Sequence, residues 1–193
     1  MLLNEVFYSA PTFDTLPIKT TCINFINESN NLPLLKNLPI NYNDLHKVKV
    51  RWKKSVNTFS EAFNQAFKHE QGGLRQRAIF TNGASSLQAV LDDQEPFYVF
   101  PIDGYKYTYS KEVENSSEEY KKTFDAVFEQ FGNDKGQAID IITELLRFTY
   151  ANNNLHEGIE QGAEIIIYNI PFYYAVRTSK FEDYNELLEL IKI

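Results

Sequence analysis

Residues Ala163 to Arg177, AEIIIYNIPFYYAVR, are apolar almost without interruption. A strand with one wet face alternates apolar and polar residues, so an unbroken run predicts a strand covered on both faces. Any fold for this chain must then supply layers above and below a sheet. Pro171 has no N–H to give to a ladder, so the strand must break, bulge or reach an edge there. The most apolar part, Ile165 to Tyr168, is far too short to cross a bilayer.

A second stretch, Phe97 to Ser110 (FYVFPIDGYKYTYS), reads as two strands joined at Asp103-Gly104. An Asp-Gly pair between apolar runs predicts a β-hairpin. Tyr105, Tyr107 and Tyr109 share one face of its second strand, with Lys106 and Thr108 on the other. Tyr98, Phe100 and Ile102 give the first strand an apolar side. Tyrosine is apolar in body and polar at its tip, so Tyr105, Tyr107 and Tyr109 are candidates for contact with another protein.

Leu45 to Trp52, LHKVKVRW, alternates cleanly. His46, Val48, Val50 and Trp52 fall on one side, Leu45, Lys47, Lys49 and Arg51 on the other. Lys53 and Lys54 extend the basic run. Lys47, Lys49, Arg51, Lys53 and Lys54 are candidate nucleic-acid contacts, because clustered cations gain from counterion release. The alternative is a solvated face whose lysines guard a sheet edge. A net charge of −7 weighs towards the alternative. That charge is unevenly spread: residues 1–80 carry ten Lys/Arg against six Asp/Glu, and residues 81–193 carry nine against twenty. Complementary ends of this kind favour association of copies.

Residues 1–44 are punctuated by Pro11, Pro17, Pro33 and Pro39. Residues before proline are pushed towards extended conformations. The segment is expected to be an extended N-terminal arm that packs by Leu34 and Leu35, on its own domain or on a neighbour. Residues 45–193 are expected to form a single α+β domain, a mainly antiparallel sheet with amphipathic helices packed on it. Thr58-x-x-Glu61, Ser85-x-x-Gln88, Ser116-x-x-Glu119, Asp134-x-x-Gln137 and Ser179-x-x-Glu182 mark helix starts. The helices beginning near Ser116 and Asp134 should form an antiparallel hairpin lying on the sheet.

Motifs that carry chemistry are missing. Cys22 is the single cysteine, which excludes an intrachain disulfide or a zinc knuckle and fits a reducing compartment. His46, His69 and His156 match no metal-binding spacing, and the glycines form neither GxGxxG nor a Walker loop. Glu157, Glu160 and Glu164 read as an acidic turn. Arg51, Ser110 and Glu112-Val113-Glu114 follow the order of an ADP-ribosyltransferase triad, but without its flanking residues. Asp103 and Lys106 could serve a metal nuclease, yet a tight turn explains Asp103 equally well. The expectation is a non-catalytic protein with no cofactor and no metal. The N-terminal MLLNEVFYSAPTF lacks a basic region and a long apolar run, so no secretory signal is expected.

The phrases LHKVKVRWKK, LRQRAIF, FYVFPIDGYKYTYS and EIIIYNIPFYYAVR resemble uncharacterised proteins of tailed bacteriophages, especially the T4-like group. The resemblance brings no catalytic residue. It implies a virion or assembly component acting through protein–protein contacts in an oligomer, with copies of itself or other phage proteins as partners. A phage-encoded inhibitor of a host protein is the alternative, and a nucleic-acid-binding protein using Lys47–Lys54 is a third. The expected location is the virion or the host cytoplasm, with no membrane association.

Overall fold

The computed structural model describes residues 14–55, 57–73, 75–83, 91–110, 116–132 and 134–191. In chain order the elements are α1 (Leu16–Thr21), α2 (Ile23–Glu28), β1 (Leu34–Pro39), β2 (Leu45–Lys49), α3 (Thr58–Gln71), β3 (Ile79–Gly83), β4 (Gln94–Pro101) and β5 (Lys106–Ser110). Then come α4 (Ser116–Gln130), α5 (Lys135–Thr149), β6 (Tyr150–Ala151), α6 (Leu155–Glu160), β7 (Glu164–Tyr168), β8 (Phe172–Arg177) and α7 (Tyr184–Ile191). The strands form one antiparallel sheet in the order β2-β8-β4-β1-β3-β7-β5-β6. The expected α+β class is what the chain adopts.

β7 is buried at every position, as its unbroken apolar run requires. Ile165 and Ile167 enter one core with residues of α1, α2, α6 and α7. Ile166 and Tyr168, on the opposite face, enter a second core built from α3, α4 and α5. β7 ends before Pro171, and Asn169 turns the chain at a φ of 67°. Asparagine tolerates that left-handed conformation better than most residues. Its Nδ2 also donates to the Gly104 carbonyl at 2.9 Å.

Two expectations are corrected. β4 pairs with β1 and β8, and β5 pairs with β6 and β7, so Phe97–Ser110 is not a hairpin. Asp103-Gly104 does turn the chain, with Gly104 at a φ of 88°, but between strands that are not neighbours. Asp103 is fixed by tertiary bonds: its N–H donates to the Thr21 carbonyl at 2.7 Å, and its Oδ1 accepts from the Asn24 N–H at 2.8 Å. The expected arm over 1–44 is likewise part of the domain wherever it is described. β1 lies inside the sheet, paired with β3 and β4, and Ile18, Phe25, Leu34 and Leu35 are core residues. Residues 1–13 lie outside the described residues.

These connections fix the shape of the sheet. β8 and β7 stand four strand spacings apart in the order, roughly 19 Å in a flat sheet. The three residues between Tyr168 and Phe172 can span at most about 14 Å. The sheet therefore curls. Ala175 and Val176 of β8 accordingly share a core with Ile167 of β7 and Tyr109 of β5.

Helix ends follow local chemistry. Asn57, rather than Thr58, caps α3, its Oδ1 accepting from the Ser60 N–H at 2.8 Å, and Gly72 closes the helix at a φ of 66°. Asp134 caps α5 as expected. Ser179 lies in a single 3₁₀ turn instead of starting the last helix. Asp183 caps α7, and the bond from the Glu186 N–H holds its carboxyl below the usual range. α4 and α5 form the expected helical hairpin, with α3 beside them through Phe59–Phe124 and Phe63–Tyr120 ring contacts. The helix expected from Ser85 lies outside the described residues.

Candidate functional site

Most residues expected to contact a partner serve the protein's own core. Leu34, Leu35 and Tyr109 are buried. Tyr105 and Tyr107 are half-buried; Tyr105 packs edge-on against Phe25 and donates its hydroxyl to Glu28 at 2.6 Å. Burial of the ring, with Glu28 beside it, pushes the Tyr105 pKa up. Tyr109 is pinned by α6, where a Cβ on Gly158 would sit 2.8 Å from its ring. Folding covers Leu34, Leu35 and Tyr109, so only the half-buried Tyr105 and Tyr107 keep surface of their own. Deleting residues 1–44 would remove a central strand, so it tests the fold and not association.

The residues proposed for catalysis do not converge. Ser110 is buried at the end of β5, while Arg51 is exposed beyond β2, six positions away in the sheet order. Glu112 to Glu114 lie outside the described residues. Glu157 accepts from Tyr109 and donates its N–H to Asn154, the cap of α6; His156 and Glu160 form a pair at 3.8 Å, and Glu164 is buried on β7. Among the described residues no group of His, Cys, Asp or Glu could hold a metal ion. His46 stacks on Tyr42 at 4.2 Å.

Cys22 is fully buried between α1 and α2, with Sγ 3.6 Å from the Phe100 carbonyl. Burial pushes its thiol up to about 12, against the hydrogen bond from Thr21. Thiolate is the reactive form. The native thiol should therefore react with iodoacetamide at pH 8 at least roughly a thousandfold more slowly than the unfolded chain. Between pH 9 and 12 the native thiol keeps a proton that the unfolded thiol loses, so this group lowers stability as pH rises through that window. Fast stoichiometric labelling of native protein would contradict both statements.

Two surfaces remain. The first is the basic stretch, which the structure exposes as expected: Lys47, Lys49, Arg51, Lys53 and Lys54 are all on the outside. Trp52 is a correction. β2 ends at Lys49, so Trp52 leaves the alternating pattern and is 53% exposed. The Arg77 guanidinium stacks 5.1 Å from its ring centroid. Behind it, Arg75 lies between the Phe63 and Phe80 rings at 4.5 and 4.7 Å, and Lys53 sits 5.1 Å over Phe80. Lys36 donates to the Phe80 carbonyl at 2.8 Å. Burial lowers the Lys36 pKa to about 8, with Lys53 adding to the shift and Glu164 opposing it. Burial also lowers Lys53 and Arg75. The exposed cations thus stand over an inner pair, Lys36 and Arg75, that folding largely covers.

The second surface is a groove of about 730 Å³ between α3 and α5. Ile142 and Leu146 face the core and Leu145 packs half-buried against it; Ile141, Leu145 and Phe148, at i, i+4 and i+7, follow the edge of α5 that borders the groove. Phe148 is 79% exposed. Charged groups rim the groove: Asp140, and Arg147 bonded to Glu144 at 2.7 Å and Glu70 at 3.2 Å. Sequence reasoning passes over Ile141 and Phe148, although their spacing is readable. Among the described residues no helix is long and apolar enough to cross a membrane.

Comparison with family models, with curated proteins and with solved structures gives no match for this chain.

Proposed function

We propose that this is a non-catalytic structural or assembly protein of a tailed bacteriophage, acting through contact with further copies of itself. The observation that supports the reading is the outer stripe of α5. A Phe at 79% exposure, flanked by Ile141 and Leu145 in a groove, is unusual for a surface that stays in water. Asp140 and Arg147 stand seven residues apart on the same rim, so two copies related by a two-fold axis crossing α5 between them would set opposite charges face to face, with Arg147 exchanging an intrachain carboxylate for the partner's. The contact is relocated from the tyrosine strand and the N-terminal segment, which are used in the fold.

Mass measurement tests it. The wild-type protein should be oligomeric at tens of micromolar, and Phe148→Glu should be monomeric with its stability unchanged to within about 0.5 kcal/mol. A wild-type protein that is monomeric at that concentration sinks the self-association reading. The same exposed face would then serve the host-factor inhibitor instead. Detection of the chain in purified virions by mass spectrometry tests the phage assignment separately.

A further inference from the structure

The charge map of the chain contains an anomaly that association of copies does not use. No Asp or Glu occurs between Asp44 and Glu61, where five cations stand, and none occurs from Gln71 to Leu91, where Arg75 and Arg77 stand. The fold brings these two acid-free stretches together. The Lys53 N–H donates to the Gln76 carbonyl at 2.9 Å, and Arg77 stacks on Trp52. In a chain of net charge −7, the two stretches bring seven cations into one region; the Glu164 carboxylate acts on Arg75 and Lys53 at its inner side, and the exposed cations face outward.

The patch runs into a cleft of about 440 Å³. Arg77 and Lys106 line it with the Gly72-Gly73 backbone and the Asn169–Pro171 crossing, and none of the lining residues is a carboxylate. The track is continuous. Val50 donates to the Pro171 carbonyl at 2.9 Å, tying the end of β2 to the cleft wall, and Arg77 belongs both to the cleft and to the Trp52 stack. Phosphates are held by cations of this kind, and a half-exposed indole backed by a guanidinium is a platform for a nucleobase. A duplex keeps its bases stacked inside, so the platform suits an unpaired strand.

We propose that Trp52, Arg77, Lys106 and the Lys53-Lys54 pair form a binding site for single-stranded nucleic acid, with a base stacked on Trp52 and phosphates on the cations along the cleft. Lys47 and Lys49 extend the track along the sheet edge. Lys47 is less available, since its Nζ lies 3.8 Å over the Phe172 ring. The site lies on the segment after β2, the connection from α3 to β3 and the start of β5, and does not include Phe148, so it stands or falls apart from the self-association surface.

Trp52 is the only tryptophan, so intrinsic fluorescence reports the site directly. Titration with a ten-residue oligothymidylate at roughly 50 mM salt should quench it, and the logarithm of affinity should fall with the logarithm of salt with a slope of about −3 if four phosphates are engaged. Followed by anisotropy of a labelled strand, Trp52→Ala should weaken binding about tenfold with the salt slope unchanged, because stacking releases no counterions. Arg77→Glu with Lys106→Glu should reduce both affinity and slope. Phe148→Glu should change neither. No quenching and no anisotropy rise at low salt overturns the proposal. So does binding that ignores Trp52→Ala and treats duplex or polyphosphate as well as the single strand, because that is unspecific attraction to charge. Circular dichroism of each variant separates loss of binding from loss of fold.

Discussion

Replacing Phe63 with alanine should cost about 4 kcal/mol of folding stability, measured as a shift of the urea midpoint at constant slope. Phe63 is fully buried at the centre of the helical core. Its ring stacks on Phe59 at 5.6 Å and on Tyr120 at 5.1 Å, and it carries the Arg75 guanidinium on one face at 4.5 Å. Truncation forfeits the transfer energy of the ring and leaves a cavity that α3, α4 and α5 share. Each lost ring pair adds about 1 kcal/mol beyond the burial itself. Phe63→Leu, which keeps most of the volume, should lose only about 1.5 kcal/mol. Phe148→Ala, one helix away and exposed, should lie within about 0.5 kcal/mol of wild type. A Phe63→Ala variant less than about 1 kcal/mol below wild type would mean that the three helices do not share a close-packed core.

Arg177→Met should be the next most damaging change, at about 3 kcal/mol. The Arg177 side chain is only 15% exposed and ties β8 to β4 and to the connection between β1 and β2. Nε meets Asp44 at 3.0 Å, Nη1 pairs with Glu95, and Nη2 donates to the carbonyls of Ile40, at 2.9 Å, and Tyr42. Its guanidinium also lies 5.2 Å from the Phe97 ring centroid. Methionine preserves bulk and removes every donor, leaving the Glu95 carboxylate and two carbonyls short of partners. Much of the loss is therefore the stranded acid, not the pair. Adding Glu95→Gln to Arg177→Met should return a measurable share of the stability, a non-additivity that a double-mutant cycle reads directly. Arg177→Lys should recover less than half, because one ammonium cannot follow the planar fork. Additive effects of the two single changes would show that Arg177 and Glu95 do not act as a unit.

What was legible in the chain is what local spacing decides. β7 announces itself by an apolar run, β2 by alternation, and α3 and α5 by a stripe with a cap. The Asp103-Gly104 pair gives a true turn but a false hairpin. Positive φ at a glycine is a local property, whereas the choice of neighbour belongs to the whole sheet. β1 is hidden for a similar reason. Pro33 and Pro39 bracket it and suggest an arm, yet Pro39 stands at the end of the strand, where a missing N–H is tolerated. The Trp52–Arg77 stack joins residues from different elements, so no reading of one stretch could find it. The outer stripe of α5 is different: Ile141, Leu145 and Phe148 are visible by counting.

The strand order also governs when the molecule can assemble. Among the described residues, β8 (Phe172–Arg177) is the one strand that pairs with β2, and it separates β2 from β4. While a ribosome still holds that stretch, every earlier strand has been made and yet β2 has nothing to pair with. Until β8 docks, the edge of β4 stays open and the apolar surface that β8 covers stays exposed; long-range pairings of this kind form slowly and leave aggregation-prone intermediates.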